Sequence, residues 1–195
     1  PLDIVALVSC GVATGVGSAV HRAEVRAGHN VAVVGIGGVG INAVQGAAIS
    51  GARRVIAIDP VEFKREKAME MGATHTYSSM DEALLAVPEL TWGEMCDSVI
   101  LTPGVVTGDQ IEPAMNLASK GGTVVVTALA GMLESEVQLN LFMLSMMNKS
   151  LKGTVFGSGN PRADIPELLS MYREGVLKLD ELITNRYPLD DVNQG

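Results

Sequence analysis

Val31-Ala-Val-Val-Gly35-Ile-Gly37-Gly38-Val39-Gly40 is the stretch that decides the fold, and it leads on to Val55-Ile-Ala-Ile-Asp59. Four apolar residues read as a buried strand, and a G-x-G-x-x-G turn follows at once. Ile41 to Ser50 continues as a helix, and a second apolar strand ends on an acid. Each part has a physical task. Gly35 permits the tight turn, and Gly37 lets backbone N–H groups approach a pyrophosphate. Gly40 lets helix and strand pack closely, while the helix N-terminus faces the phosphate charge. Asp59 stands nineteen residues beyond Gly40, near the roughly 20 expected of an acid that bonds an adenosine ribose. The order strand, turn, helix, strand, acid predicts dinucleotide binding, and a carboxylate at Asp59 predicts NAD(H) rather than its 2′-phosphorylated form.

Composition narrows the class. A chain of 195 residues holds one domain, with a short extension at most. An apolar fraction of 47% with 22 glycines and 4% aromatics suits a soluble sheet protein built on small residues. A net charge of −8 gives no basic face for nucleic acid or an anionic membrane. No uninterrupted apolar run approaches the roughly 18 residues of a membrane span. Cys10 and Cys96 are too few for a disulfide framework, which points to a reducing cytoplasm. The chain opens on Pro1, Asp3 interrupts what could pass for a signal peptide, and it stops within an incipient helix at Asp191–Gly195. The expectation is a piece of a larger protein.

Strands are predicted at Val31–Val34, Val55–Ile58, Ser98–Leu101, Thr123–Thr127 and Leu151–Phe156, with a short one near Thr74–Tyr77. Helices are predicted at Val39–Ser50, Glu62–Met71, Asp81–Val87, Gln110–Ser119, Leu141–Asn148 and Ile165–Glu174. The strand runs are apolar without alternation, as when helices cover both faces of a sheet. This alternation predicts an α/β fold of the Rossmann type, a doubly wound, six-stranded parallel sheet in three layers. Residues 29–175 read as the dinucleotide-binding domain, 1–28 as lead-in helices and 176–195 as an exit segment toward an absent catalytic domain.

The segment Ser9-Cys10-Gly11-Val-Ala-Thr14-Gly15-Val-Gly17-Ser18-Ala-Val20 precedes the first strand. Together with the glycine loop, Asp59 and Gly72-Ala73-Thr74, it resembles the zinc-containing, medium-chain alcohol dehydrogenases along essentially the whole chain. Asp59–Lys67 and Leu151–Gly157 are most similar to the actinobacterial nicotinoprotein branch, which holds its coenzyme tightly and regenerates it in place with an external acceptor. The resemblance implies the coenzyme domain of an NAD-dependent alcohol dehydrogenase that moves hydride between an alcohol or aldehyde and NAD(H). It implies that Cys10 is one ligand of a catalytic zinc in the parent enzyme. The other ligands and the proton relay belong to a domain not in this sequence, so no complete catalytic site is expected and the fragment is expected to be inactive. The implied coenzyme contacts are Thr14, Gly35, Gly37, Gly38, Val39, Gly40, Asp59, Lys64, Thr102, Thr127, Ala128 and Phe156. Among them Thr14 lies beside the nicotinamide, Val39 backs its ring, Asp59 and Lys64 reach the adenosine ribose, and backbone groups at Thr127, Ala128 and Phe156 bond the carboxamide. The family's matching edge strand pairs with a two-fold mate, which implies a homodimer near Leu151–Phe156.

Other readings compete. A zinc-free reductase of the quinone oxidoreductase type has a similar loop but no use for Cys10. A non-enzymatic NAD(H)-sensing module shares loop and acid but gives no reason for Cys10–Val20. Cys96 reads as core. His21, His29 and His75 lack ligand spacing with one another. Phe142–Met147 is apolar around much of a helix, which predicts core or subunit contact.

Overall fold

In a computed structural model describing residues 2–194, six parallel strands form one sheet in the order β3-β2-β1-β4-β5-β6. The strands are β1 (Asn30–Val34), β2 (Arg54–Ile58), β3 (His75–Tyr77), β4 (Cys96–Leu101), β5 (Ala118–Val126) and β6 (Ser150–Gly153). Pro1 and Gly195, which bound the expected lead-in and exit segments, lie outside the described residues. The chain order reverses between β1 and β4. In open parallel sheets of this kind, ligands bind at the carboxyl ends of the strands beside such a reversal. The predicted doubly wound, three-layer α/β fold is the observed one.

Both faces are covered because the central strands point apolar side chains both ways. Val31 and Val33 face a cluster with Val44, Ala47, Ala68 and Met71. These last come from α2 (Gly40–Ile49) and α3 (Glu62–Glu70) with its C-cap. Ala32 and Val34 face the opposite cluster with Ala83, Val87, Ala114 and Leu117, from α4 (Met80–Leu90) and α5 (Ile111–Leu117). A residue period of two thus divides each strand between two cores.

The amino-terminal segment, expected as lead-in helices, is continuous. Leu2–Arg22 is one helical rod of 21 residues, here α1. It contains widened π-type turns at Val8–Val12 and Ser18–Arg22. By length and composition it could cross a membrane, which corrects the sequence reading that nothing approaches such a span. Ile4, Val8, Val12 and Val16 are nonetheless buried, against Leu168 of α7 (Pro161–Arg173) and Leu177 and Leu179 beyond it. Lead-in and exit segments therefore share a third core, laid on the side of the sheet that carries α2.

Three of the boundaries that differ from expectation have clear local reasons. β5 begins at Ala118 rather than Thr123, because Ala118 pairs with Cys96 before the ladder shifts and resumes at Ser98–Thr123. The intervening bulge turns at Gly121, whose φ is +77°. β6 ends at Gly153 rather than Phe156, since Phe156 and Gly157 adopt left-handed φ of 52° and 64° and turn the chain back under α1. α7 starts at Pro161, four residues early, where the Asn160 side chain accepts the Arg162 N–H at 3.2 Å and Pro161 supplies a preset φ. The Met-rich segment becomes α6 (Leu141–Met146), none of whose residues is buried.

Cys96 sits fully buried in the core and Cys10 is exposed. Burial, with Asp97 beside it, pushes the Cys96 thiol up from an ordinary 9.0 to about 12. Its folded pKa is raised, so its contribution to stability is complete below about pH 9 and disappears as pH rises toward about 12. A disulfide-exchange reagent at pH 8 is expected to titrate one thiol per native chain and two in denaturant. Two thiols reacting rapidly in the native chain would contradict this burial.

Candidate nucleotide-binding site

The glycine loop is the point where β1 must become α2 within a few residues. Gly35 has φ +89°, a left-handed conformation that costs other L-residues more than glycine. Its N–H donates to the Ile58 carbonyl at 2.8 Å, and its carbonyl accepts the Thr102 hydroxyl at 2.7 Å. A Cβ on Gly35 would meet the backbone of Thr102 and Pro103, and one on Gly40 would strike the Gly35 carbonyl. Glycine at both positions is thus a packing requirement. At Gly37 and Gly38 a Cβ would meet nothing within 4 Å. There the missing side chains leave bare backbone facing open space, the form a pyrophosphate cradle takes.

Asp59 closes β2 beside this loop and is 4% exposed. Its Oδ2 accepts the Ile36 N–H at 2.8 Å, and its Oδ1 accepts the Val61 N–H at 2.9 Å. The acid therefore braces the glycine loop. A carboxylate offers about four acceptor sites, so two backbone donors leave capacity for ribose hydroxyls. Lys64 reaches Oδ2 at 3.6 Å. Arg65, which the motif does not single out, donates to the Asp59 and Pro60 carbonyls at 2.8 and 2.9 Å. Only its basic character and place in the helix after Asp59 could have signalled it.

The other expected contacts gather at the far end of the loop. Thr127 Oγ1 donates to Ser18 Oγ at 3.0 Å, and Ser18 Oγ donates to the Thr14 carbonyl at 2.7 Å. Gly157, directly after Phe156, lies so near α1 that a Cβ would come within 2.7 Å of that same Thr14 carbonyl. Thr14, Thr127 and Phe156 are thus neighbours in space, joined through Ser18 and Gly157, neither of which stood among the expected contacts. The Thr127 and Ala128 N–H groups both donate to the Leu101 carbonyl at 3.0 Å, so these two donors are already engaged within the fold. Thr102 directs its hydroxyl to the Val34 and Gly35 carbonyls. Val39 forms the N-cap of α2. Cys10 is exposed on α1, and no group of three His, Cys, Asp or Glu able to hold a metal exists among the described residues. A zinc ion finds one thiol here, not a site.

A groove of about 480 Å³ runs along the loop, lined by Gly37, Gly38, Asn42, Lys64 and Lys67, with Glu181–Thr184 of the exit segment on its rim. It joins the bare backbone of Gly37 and Gly38 to two lysines, and Ile36 and Val61 on its wall are the residues whose N–H groups Asp59 accepts. Residues 38–174 match the family described as zinc-binding dehydrogenase. The chain belongs to that family. It is 53% identical over 195 residues to the NDMA-dependent alcohol dehydrogenase of Amycolatopsis methanolica, covering all of this chain and 53% of the relative. It is 48% identical over 195 residues to alcohol dehydrogenase B of Mycobacterium tuberculosis, covering all of this chain and 52% of that protein. The benzyl alcohol dehydrogenase crystal structure from Acinetobacter calcoaceticus superposes with a TM-score of 0.91 at 28% identity, over 100% of this chain and 52% of that one. The chain spans about half the length of the curated relatives it matches.

For a zinc-binding dehydrogenase built this way, Asp59 is expected to matter before any nucleotide is added. Asp59→Ala strands the buried Ile36 N–H, a loss of about 1–3 kcal/mol. Urea unfolding of the two chains measures it. Equal midpoints would show that the carboxylate does not brace the loop.

Proposed function

We propose that this chain is the NAD(H)-binding part of a zinc-dependent alcohol dehydrogenase whose parent protein moves hydride between an alcohol or aldehyde and the coenzyme. Residues 29–175 hold the coenzyme, and the segments 1–28 and 176–195 connect to a catalytic domain. The observation that carries the reading is the open backbone at Gly37 and Gly38 beside the buried Asp59 carboxylate. Pyrophosphate fits the bare N–H groups, and the ribose hydroxyls fit the remaining acceptor sites of Asp59, with Lys64 alongside. Thr14, Val39, Thr127, Ala128 and Phe156 form the nicotinamide end, and Thr102 holds the turn from below. The coenzyme supplies the hydride acceptor; the chain's own groups orient it and keep its pyrophosphate on the axis of α2.

Cys10 provides one thiolate toward a zinc whose other ligands lie in the parent's remaining half. The chain alone is accordingly inactive toward alcohols and holds no stoichiometric metal. One relative is named NDMA-dependent, which supports the reading of a nicotinoprotein that works with an external acceptor. A zinc-free reductase or a sensing module gives no use for Cys10, and stoichiometric zinc in the full-length protein separates those readings from this one. A reducing cytoplasm suits the exposed Cys10 thiol.

The coenzyme expectation is NADH over NADPH, since a 2′-phosphate would be placed against the Asp59 carboxylate. Calorimetric titration of the chain with each nucleotide decides it. Asp59→Ala is expected to remove about 1.5–3 kcal/mol of NADH affinity, the value of a hydrogen bond to a charged group. NADPH binding as tightly as NADH would overturn the assignment.

The same reading includes a homodimer through β6. Thr154 N–H donates inward to Val126 at 3.1 Å, so by strand alternation the Leu151 and Gly153 N–H groups face outward along an open edge. Leu129, Met132, Leu133, Leu141 and Phe142 are exposed nearby in the sequence, more apolar surface than a monomer readily leaves in water. Val155 lies beyond the strand and is 83% exposed, so the edge is tested at Leu151. The wild-type chain is expected to sediment as a dimer at micromolar concentration, and Leu151→Pro as a folded monomer. A wild-type monomer would remove the proposal.

A further inference from the structure

A buried line of amide hydrogen bonds leads from the glycine loop to the exit segment. The Gly38 carbonyl accepts the Asn42 side-chain N–H at 2.8 Å. The Asn42 side-chain oxygen accepts from Gln45 Nε2 at 3.1 Å. Gln45 Nε2 also donates to the Lys178 carbonyl at 2.9 Å, and Gln45 Oε1 accepts the Lys178 N–H at 2.9 Å. Asn42 and Gln45 are 1% and 3% exposed, and Asn42 also lines the groove. The reciprocal pair at Lys178 fixes which end of the Gln45 amide is nitrogen. With that settled, the second Nε2 hydrogen is the one Asn42 accepts, and the Asn42 nitrogen is left to face Gly38.

The geometry at Gly38 gives this line a consequence. All described peptide bonds are trans, so a fixed Gly38 carbonyl fixes the Val39 N–H in the opposite direction. The carbonyl points along α2 toward Asn42, so the N–H points outward from the helix N-terminus, where a phosphate is received. Gly38 and Val39 carry no long side chains that could hold this peptide from another side. The Lys178 ammonium meanwhile donates to the Glu70 carbonyl at the end of α3 at 2.6 Å. One residue of the exit segment thereby ties both helices that wall the groove.

We propose that Gln45 is a positioning residue that transmits the placement of the exit segment to the Gly38–Val39 peptide, so that coenzyme affinity depends on where Lys178 is held. The inference rests on the coenzyme reading above and extends it. In that reading residues 176–195 connect to a catalytic domain, so a shift there loosens or tightens the loop without touching the nucleotide. Gln45 acts through Asn42 and does not itself contact coenzyme.

The test compares Gln45→Leu and Asn42→Ala with Val87→Ala, a buried core substitution on the opposite face of the sheet, in the full chain. Ligand-free amide hydrogen exchange is read over residues 38–42. Gln45→Leu is expected to accelerate exchange there about tenfold beyond Val87→Ala, the scale of one lost net hydrogen bond. NADH affinity, followed by its fluorescence, is expected to fall about tenfold in each of the two amide variants. In the double variant it should fall no further, because both cut the same line. Exchange over 38–42 no faster than in Val87→Ala overturns the proposal, as do additive losses of affinity. If Gln45→Leu does not fold, Asn42→Ala carries the same exchange comparison, since it leaves the Lys178 pair intact. A wild-type chain that fails to bind NADH refutes the coenzyme reading, while the exchange result still decides the coupling.

Discussion

Close backbone approach around one turn is the constraint on which the rest of this structure depends. β1, α2 and α1 converge at the glycine loop, and they can do so only because side chains are missing where they meet. A Cβ on Gly40 would strike the Gly35 carbonyl, and one on Gly15 would strike the Val39 carbonyl. Gly46 lies against Val16 and Ala19, and Gly17 against Gly157. Glycine weakens a helix by about 1 kcal/mol relative to alanine. The glycines of α1 are tolerated because contact with neighbouring backbone replaces what local propensity lacks. They bring Thr14 beside Thr127 and set Cys10 on the exposed side of the same rod. Fold and site are thus consequences of the same short list of absent side chains.

Electrostatics act on this frame in a second role. Asp59 is buried yet accepts two backbone N–H groups, which is how a charge so close to the core is maintained without a full ion pair. The nearest cation, Lys64, stands off at 3.6 Å with its side chain 43% exposed. Such a pair contributes little to stability and leaves the carboxylate open to hydroxyl donors. The same acid therefore holds the loop through one set of lone pairs and keeps another set free of protein donors. An aliphatic residue of equal size would lose both sets together.

The parts legible in the sequence were those whose signals are local. β1, the loop, α2, β2 and Asp59 form one continuous pattern, and each boundary lies within a few residues of its reading. The same holds for the parallel topology, which follows from apolar strands separated by helices. What escaped depends on partners distant in the chain. The continuous length of α1 escaped because Gly15 and Gly17 are tolerated in it only through backbone packing against α2 and Gly157. β6 read three residues too long because Val155 and Phe156 have strand propensity, while Gly157 draws them under Thr14. Asn160-Pro161 was readable as a helix start and was passed over in favour of the later apolar period. Cys10 acquired meaning only from resemblance, since among the described residues it has no companion ligands.

The hydrogen-bond line through Asn42 and Gln45 explains why two polar amides occupy an otherwise apolar helix face. Both would read as surface residues, since buried amides without partners cost several times what an apolar replacement does. Their burial is affordable only because every donor and acceptor on Gln45 is matched, and the match is supplied by backbone at Lys178, 133 residues away. An apolar pair of the same volume would pack the helix as well and would leave the Gly38 peptide free to turn. The polar pair instead ties the orientation of that peptide to the third core, where α1, α7 and the exit segment meet. Displacement of the exit segment and reorientation of the loop are then coupled, because both ends of the Gln45 amide are held at Lys178 and cannot shift without giving up a partner.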